Sequence, residues 1–329
     1  ALLVIATVEM NGKAQCKPSS LRCEHLENPL GVDAETPRLS WNIAGCSGVL
    51  SQQGYKITLG TDSSAVSAGK GTIWDSGKVD SDKMLVQLPG SLLSPFTRYF
   101  WSVQVWDQKG NVSAIAHASF ETGLMQSNWN GSWITDANDI NIKKAPYFRK
   151  VFSPAKKKVR SARAYVAAAG LYEFYLNGKK VGNHRLDPMY TRYDRRTLYL
   201  THDITSLIKD GDNAIGILLG NGWYNHQSTA VWFFDQAPWR ARPKFCLDLR
   251  LEYADGSVET ISSDNSWKTS FGPLLFNSIY TAEHYDARLE NKSWNTAAFE
   301  DKNWKKVIYT SAPSSKIFCL SAVLSSICL

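Results

Sequence analysis

From Tyr99 to Trp106 the side chains alternate. Tyr99, Trp101, Val103 and Val105 fall on one parity, and Phe100, Ser102, Gln104 and Trp106 on the other. A two-residue period of this kind is the signature of a strand with one buried face. Shorter apolar runs flank it at 21–26, 38–43, 54–60, 72–79, 84–88 and 117–123, and Pro37, Pro89, Pro95 and several glycines punctuate the gaps. Seven short strands in roughly 100 residues predict a fibronectin type III or immunoglobulin-like sandwich over residues 19–124.

The texture continues over 125–310. PYFRKVFS (146–153) and SARAYVAAAGLYEFYLNGKKVG (161–182) are strand-rich, and Asn177-Gly178 between two apolar runs predicts a hairpin. TLYLTHDITSLI (197–208) follows, then a turn and a buried strand in KDGDNAIGILLGNGW (209–223). KFCLDLRLEYADGSVETISSD (244–264) reads as a second hairpin about Asp255-Gly256, with Phe245, Leu247, Leu249 and Leu251 on one face and charges on the other. No long amphipathic helix interrupts. The expectation is an all-β chain, with the first sandwich followed by a jelly-roll, galactose-binding-like sandwich. Residues 1–18 form an N-terminal segment. Residues 311–329 form an atypical tail that reads as a docked terminal strand or as a stretch of unusual origin.

Composition changes this picture little. The 329 residues carry a net charge of +7, with only short basic runs, which argues against nucleic acid as a partner. No apolar run reaches the ~18 residues a membrane helix requires. Six cysteines (16, 23, 46, 246, 319 and 328) form no CxxC pair, and Cys23, Cys46 and Cys246 sit in apolar surroundings. The apolar start, ALLVIATVEM, is either a first strand or the end of an export signal, and favours a periplasmic or secreted bacterial protein.

Several blocks in fixed order carry a family resemblance: LRCEHLENPLGVDAETPRLSWNI (21–43), WDSGKV (74–79), YFWSVQVWDQKG (99–110), GLYEFYLNGKKVG (170–182), LGNGWY (219–224) and IYTAEHYDARLE (279–290). Together they resemble the N-terminal β domains of bacterial α-L-rhamnosidases, over about residues 20–310. The resemblance implies a glycoside hydrolase whose catalytic carboxylates lie on a following helical barrel. The chain stops before such a barrel, so a truncated product or a fragment is expected, inactive on its own. The face that the barrel would cover is a candidate for self-association.

The candidate chemistry agrees. Glu173, Asp187, Asp194, Glu283, Asp286 and Glu290 supply carboxylates, but Glu173 and Glu283 fall in framework-like strands, and Asp286 and Arg288 read as an ion pair. No nucleophile elbow is present, and Gly220-Asn221-Gly222 lacks the lysine of a phosphate loop. The richest segment is GWYNHQSTAVWFFDQAPWRARP (222–243). Its Trp223, Tyr224, Asn225, His226, Trp232, Trp239 and Arg240 offer aromatic faces for C–H surfaces and polar groups for hydroxyls, the two requirements of a carbohydrate site. The resemblance also implies calcium beside the sugar. Asn183 and Asn221 occupy the ligand positions, while His184 stands where an oxygen donor is wanted. The leading expectation is therefore a non-catalytic carbohydrate-binding region that recognises rhamnose-containing glycans. A fragment of an active α-L-rhamnosidase and a purely structural module are the alternatives.

Overall fold

The computed structural model describes residues 17–44, 51–229 and 232–319. The N-terminal segment to residue 16 lies outside them, as do Cys16, Cys46, Cys328 and the end of the tail. The chain divides into two compact units, Ala1–Met125 and Gln126–Leu329.

In the first unit, one sheet runs in the order Leu30–Val32, Ala116–Thr122, Arg98–Asp107, Gln52–Gly60 and Trp74–Asp75, with Val79–Asp80 also pairing to Gln52–Gly60. The second sheet orders Lys17–Cys23, Arg38–Ala44 and Leu85–Gln87. The alternating strand behaves as its pattern requires: Tyr99, Trp101, Val103 and Val105 enter a core shared with Trp41, Ile57 and Phe120. Its opposite parity is not wholly solvated. Ser102 is buried too, and its hydroxyl lies 2.7 Å from that of Thr58 across the strand pair. The 72–79 run splits into two short pairings, because Gly77 takes φ +61 and its N–H turns to Asp75 Oδ1 at 2.9 Å. One helical turn, Ser63–Ser67, begins at Asp62, whose carboxylate accepts from the N–H groups of Ser64 and Ala65.

The second unit is a two-sheet sandwich. One sheet orders Ile308–Tyr309, Ile134–Thr135, Lys244–Tyr253, Val159–Ala169, Thr197–Asp203 and Ile317–Cys319, with Val258–Ser262 beside Lys244–Tyr253. The other orders Lys179–Lys180, Leu171–Leu176, Asn213–Gly220, Pro146–Phe152, Lys268–Phe271 and Lys305–Lys306. Between them lie Phe148, Val166, Phe174, Ile217, Phe245, Leu247, Leu249 and Trp267.

Gly170 sets this layout. The apolar run 161–176 is one continuous stretch in sequence but two strands in different sheets, Val159–Ala169 and Leu171–Leu176. The chain changes sheet at Gly170, where φ is +107 and an added Cβ would stand 2.4 Å from the Gly220 carbonyl oxygen. The Asn177-Gly178 turn closes with φ of +54 and +83, the paired left-handed values of a type I′ hairpin.

One feature departs from the expected alternation, and the tail adopts the docked-strand alternative. Behind the apolar face of Lys244–Tyr253, Asp248 is buried, because the segment before the sandwich covers it: its carboxylate accepts from the N–H groups of Asn130 and Gly131, both at 2.8 Å. In the tail, Ile317–Cys319 docks parallel to Thr197–Tyr199. The described cysteines, Cys23, Cys246 and Cys319, are buried thiols. No helix among the described residues is long and apolar enough to cross a membrane.

Candidate functional site

The strand Asn213–Gly220 delivers its chain into the loop that holds the aromatic-rich segment. Gly222, at φ +51, turns the backbone at a point where a Cβ would press on Leu171. A ladder of amides then pins the root of the loop. Asn221 N–H donates to Asn277 Oδ1 at 2.6 Å, and Asn221 Nδ2 donates to Asn277 O at 3.1 Å. Asn225 Nδ2 donates to Asn221 Oδ1 at 3.1 Å and to Ile140 O at 3.0 Å. Arg240 Nε closes the ladder on Asn225 Oδ1 at 3.1 Å, and Arg240 Nη2 reaches Asn141 Oδ1 at 3.0 Å. Asn225 and Arg240, expected from the sequence to meet sugar hydroxyls, direct these groups at each other and at the loop.

Above this root the rings gather. Phe234 is the hub, with ring centroids 5.9 Å from Tyr190, 5.3 Å from Trp223, 6.4 Å from His226, 5.9 Å from Trp232 and 5.8 Å from Trp239. Tyr224 lies deeper, 5.0 Å from Tyr193, with the Lys244 ammonium 5.8 Å from its ring centroid. Trp232 and Phe233 both adopt positive φ, 48 and 55, and their side chains remain 76% and 69% exposed. Two consecutive non-glycine residues in this region are strained, and here they carry the two most solvent-exposed rings of the segment. Leu186, Met189 and Tyr190 are exposed apolar residues as well.

His226 is different. Only 2% of it is exposed, and neither ring nitrogen has a hydrogen-bond partner among the described residues. Burial, the largest cause, and the nearby Arg240 charge push its pKa down against the opposing pull of Asp235. Its imidazole therefore favours the neutral form. It borders a polar hollow of about 330 Å³ that also includes Lys143, Gln227, Phe276 and Asn277.

The two residues expected to hold calcium stand in unlike surroundings. Asn183 is exposed after the Lys179–Lys180 strand, while Asn221 is buried, with its Oδ1 accepting from Asn225. His184 and Asp187 pair with each other at 3.2 Å. Calcium requires six to eight oxygen donors, and among the described residues no cluster of three His, Cys, Asp or Glu side chains is suited to a metal.

A second concavity lies on the outer face of the sheet holding Pro146–Phe152. Glu173, Leu218 and Tyr147 stand in register across three strands and floor a cleft of about 700 Å³. The hairpin Leu274–Ser278 and Ala282–Tyr285 contributes Glu283 and Tyr285 to its lining. Glu173 is held by Arg185 at 2.7 Å and by Lys180 and the Tyr175 hydroxyl. Asp286 and Arg288 form the expected ion pair at 2.7 Å.

The sequence does not single out Tyr190 or Tyr147, and it does not rank Phe234 above the other rings of its segment. Phe234 lies in the aromatic segment 222–243, and only the ring contacts separate hub from rim. Tyr147 carries no distinguishing signal, since its strand PYFRKVF mixes ring, apolar and charged residues on both parities.

Residues 157–323 match the α-L-rhamnosidase N-terminal domain, and residues 18–126 match the Rha78A-like N-terminal immunoglobulin domain. An α-L-rhamnosidase of Formosa agariphila is 35% identical over 306 residues, covering 84% of this chain and 32% of its own length. One from Alteromonas sp. is 34% identical over 310 residues, covering 89% of this chain and 33% of its own length. The solved α-L-rhamnosidase from "Dictyoglumus thermophilum" superposes with a TM-score of 0.84 at 37% identity, over 93% of this chain and 35% of that one. The native enzyme from Aspergillus terreus gives 0.81 at 28% identity, over 92% and 35%. The chain thus spans about a third of the length of the curated relatives it matches. With both of its units matched in order, the chain belongs to the α-L-rhamnosidase family and carries its N-terminal region.

Proposed function

We propose that this region binds carbohydrate, recognising rhamnose-containing glycans for the α-L-rhamnosidase to which it belongs, and itself performs no hydrolysis. The observation that carries the reading is the platform of Trp232 and Phe233, exposed on a loop whose root is fixed by the Asn221–Asn225–Arg240 ladder. Large rings left in water over a rigid base suit the apolar C–H face of a pyranose. Trp232 is the stacking ring, Tyr190 and Trp223 flank it, and Trp239 and Tyr224 support the cluster from within. The relatives are named for rhamnoside hydrolysis, which makes L-rhamnose the sugar to test first. Such glycans are met outside the cytoplasm, which supports a periplasmic or secreted location for the protein.

Saturation-transfer NMR and calorimetry of the chain with L-rhamnose test the reading, with and without added calcium. Transfer to the sugar that is weakened in Trp232→Ala supports it; absence of transfer under both conditions rejects it. Hydrolysis of p-nitrophenyl α-L-rhamnoside that disappears on one carboxylate substitution would replace it with the enzymatic reading.

A further inference from the structure

The cleft on the outer sheet face is built differently from the loop platform. Its floor is Tyr147, which is only 8% exposed. The ring is wedged by Trp294, 4.9 Å away, and by the backbone at Gly272, where a Cβ would come within 2.7 Å of it. Its hydroxyl, however, has no hydrogen-bond partner among the described residues and is not sealed from solvent, so it opens to the cleft that the residue lines. Burial, together with the nearby Tyr285, Glu173, Glu290 and Glu283, pushes the phenol pKa well above its ordinary value. The group is therefore a standing O–H donor.

Two carboxylates lie near it in unlike states. Glu173 is neutralised by Lys180 and Arg185. Glu283 has no cationic partner among the described residues. The lining also includes the aliphatic side chains of Leu171, Leu218 and Ile279. A fixed phenol donor, a free carboxylate acceptor and an aliphatic lining match the surface of a pyranose: vicinal hydroxyls donate to a carboxylate, and the C–H face packs on the leucines. The uncompensated charge of Glu283 also disfavours an anionic sugar by like-charge repulsion.

We propose that this cleft is a second glycan subsite, separate from the Trp232 platform and selective for a neutral pyranose over a uronic acid. Tyr147 and Glu283 hold its hydroxyls. It goes beyond the platform reading and does not depend on it.

The test is saturation-transfer NMR of the full chain with methyl α-L-rhamnopyranoside and, separately, with D-glucuronate, on the wild type, Tyr147→Phe, Glu283→Gln and Trp232→Ala. Removing one hydrogen bond should weaken binding about five- to tenfold in Tyr147→Phe and in Glu283→Gln. Trp232→Ala should retain saturation of the neutral sugar at this second site, and Glu283→Gln should narrow the preference over glucuronate. Thermal melting confirms that each variant is folded. If both cleft variants bind as the wild type does while Trp232→Ala abolishes binding, the subsite is overturned and the platform stands. If Trp232→Ala binds normally while the cleft variants weaken, the platform falls and the subsite stands. Equal binding of glucuronate overturns the selectivity, and no transfer from the neutral sugar to any form overturns both sites.

Discussion

Arg242 and Asp136 form a buried two-point ion pair: Arg242 Nε donates to Asp136 Oδ1 at 2.9 Å, and Nη2 donates to Oδ2 at 2.7 Å. Their side chains are 7% and 1% exposed. The remaining guanidinium nitrogen, Nη1, donates to Ile142 O at 2.6 Å. Arg242 thus joins the exit of the aromatic loop to the segment that also receives Asn225 and Arg240. Removing one member leaves the other charge buried and unpaired, which is far costlier than losing an exposed pair. Asp136→Ala should lower the unfolding free energy by about 3–5 kcal/mol, read from urea denaturation of the second unit. A change under about 1 kcal/mol would show that water replaces the carboxylate.

Gly170 gives a prediction about backbone rather than charge. Its φ of +107 lies where side chains are strained, and the Gly220 carbonyl occupies the space a Cβ would need. Gly170→Ala should destabilise by at least about 2 kcal/mol through strain and the clash together. Gly211→Ala supplies the control, since its φ of +75 carries strain but nothing stands near its Cβ. Equal melting temperatures for the two variants would count against the clash.

These contrasts show how much was legible in the sequence. The strands were, because alternation survives wherever one face is buried, as at Tyr99–Val105 and Phe245–Leu251. The Asn177-Gly178 turn was, because few sequences other than Asn-Gly tolerate two left-handed residues in succession. The change of sheet at Gly170 was not visible as such, because the apolar run 161–176 continues across it and the glycine is explained only by its φ and by the Gly220 carbonyl. In the aromatic segment, composition located the loop but could not separate roles. Asn225 and Arg240 are the right residue types for sugar hydroxyls, yet their partners, Asn221, Ile140 and Asn141, are remote in sequence or hidden by the turn. Tyr147 is legible only once Trp294 and Gly272 fix its ring.

His202 makes the second unit sensitive to acid. Its Nε2 lies 2.8 Å from the Tyr172 hydroxyl, and burial, with a smaller contribution from His184, pushes its pKa down to about 4. In the unfolded chain an imidazole titrates near 6.5. As pH falls through that value, the unfolded state takes up a proton that the folded state resists, so stability is lost between about pH 6.5 and 4 and the loss levels off below. The maximum loss is about 3 kcal/mol. Asp187, whose pKa burial pushes up, acts in the opposite sense at the acidic end. Urea midpoints across this range should slope less in His202→Gln than in the wild type. Identical slopes would move the acid sensitivity to other groups.

The aromatic loop should separate binding from stability, because its exposed ring and its buried amide do different work. Trp232 is 76% exposed, so Trp232→Ala should leave the unfolding free energy within about 0.5 kcal/mol while weakening glycan binding by about 1–3 kcal/mol. Asn225 is the opposite case. Its amide accepts from Arg240 and donates to Asn221 and Ile140, so Asn225→Ala strands buried polar groups and should cost about 1–3 kcal/mol of stability. Binding should suffer in Asn225→Ala only through a loosened loop, as a faster dissociation rate that recovers partly on cooling. Calorimetry paired with denaturation on the same two variants resolves these effects. If Asn225→Ala removes binding without lowering stability, the amide contacts the sugar directly and the ladder does not govern the loop.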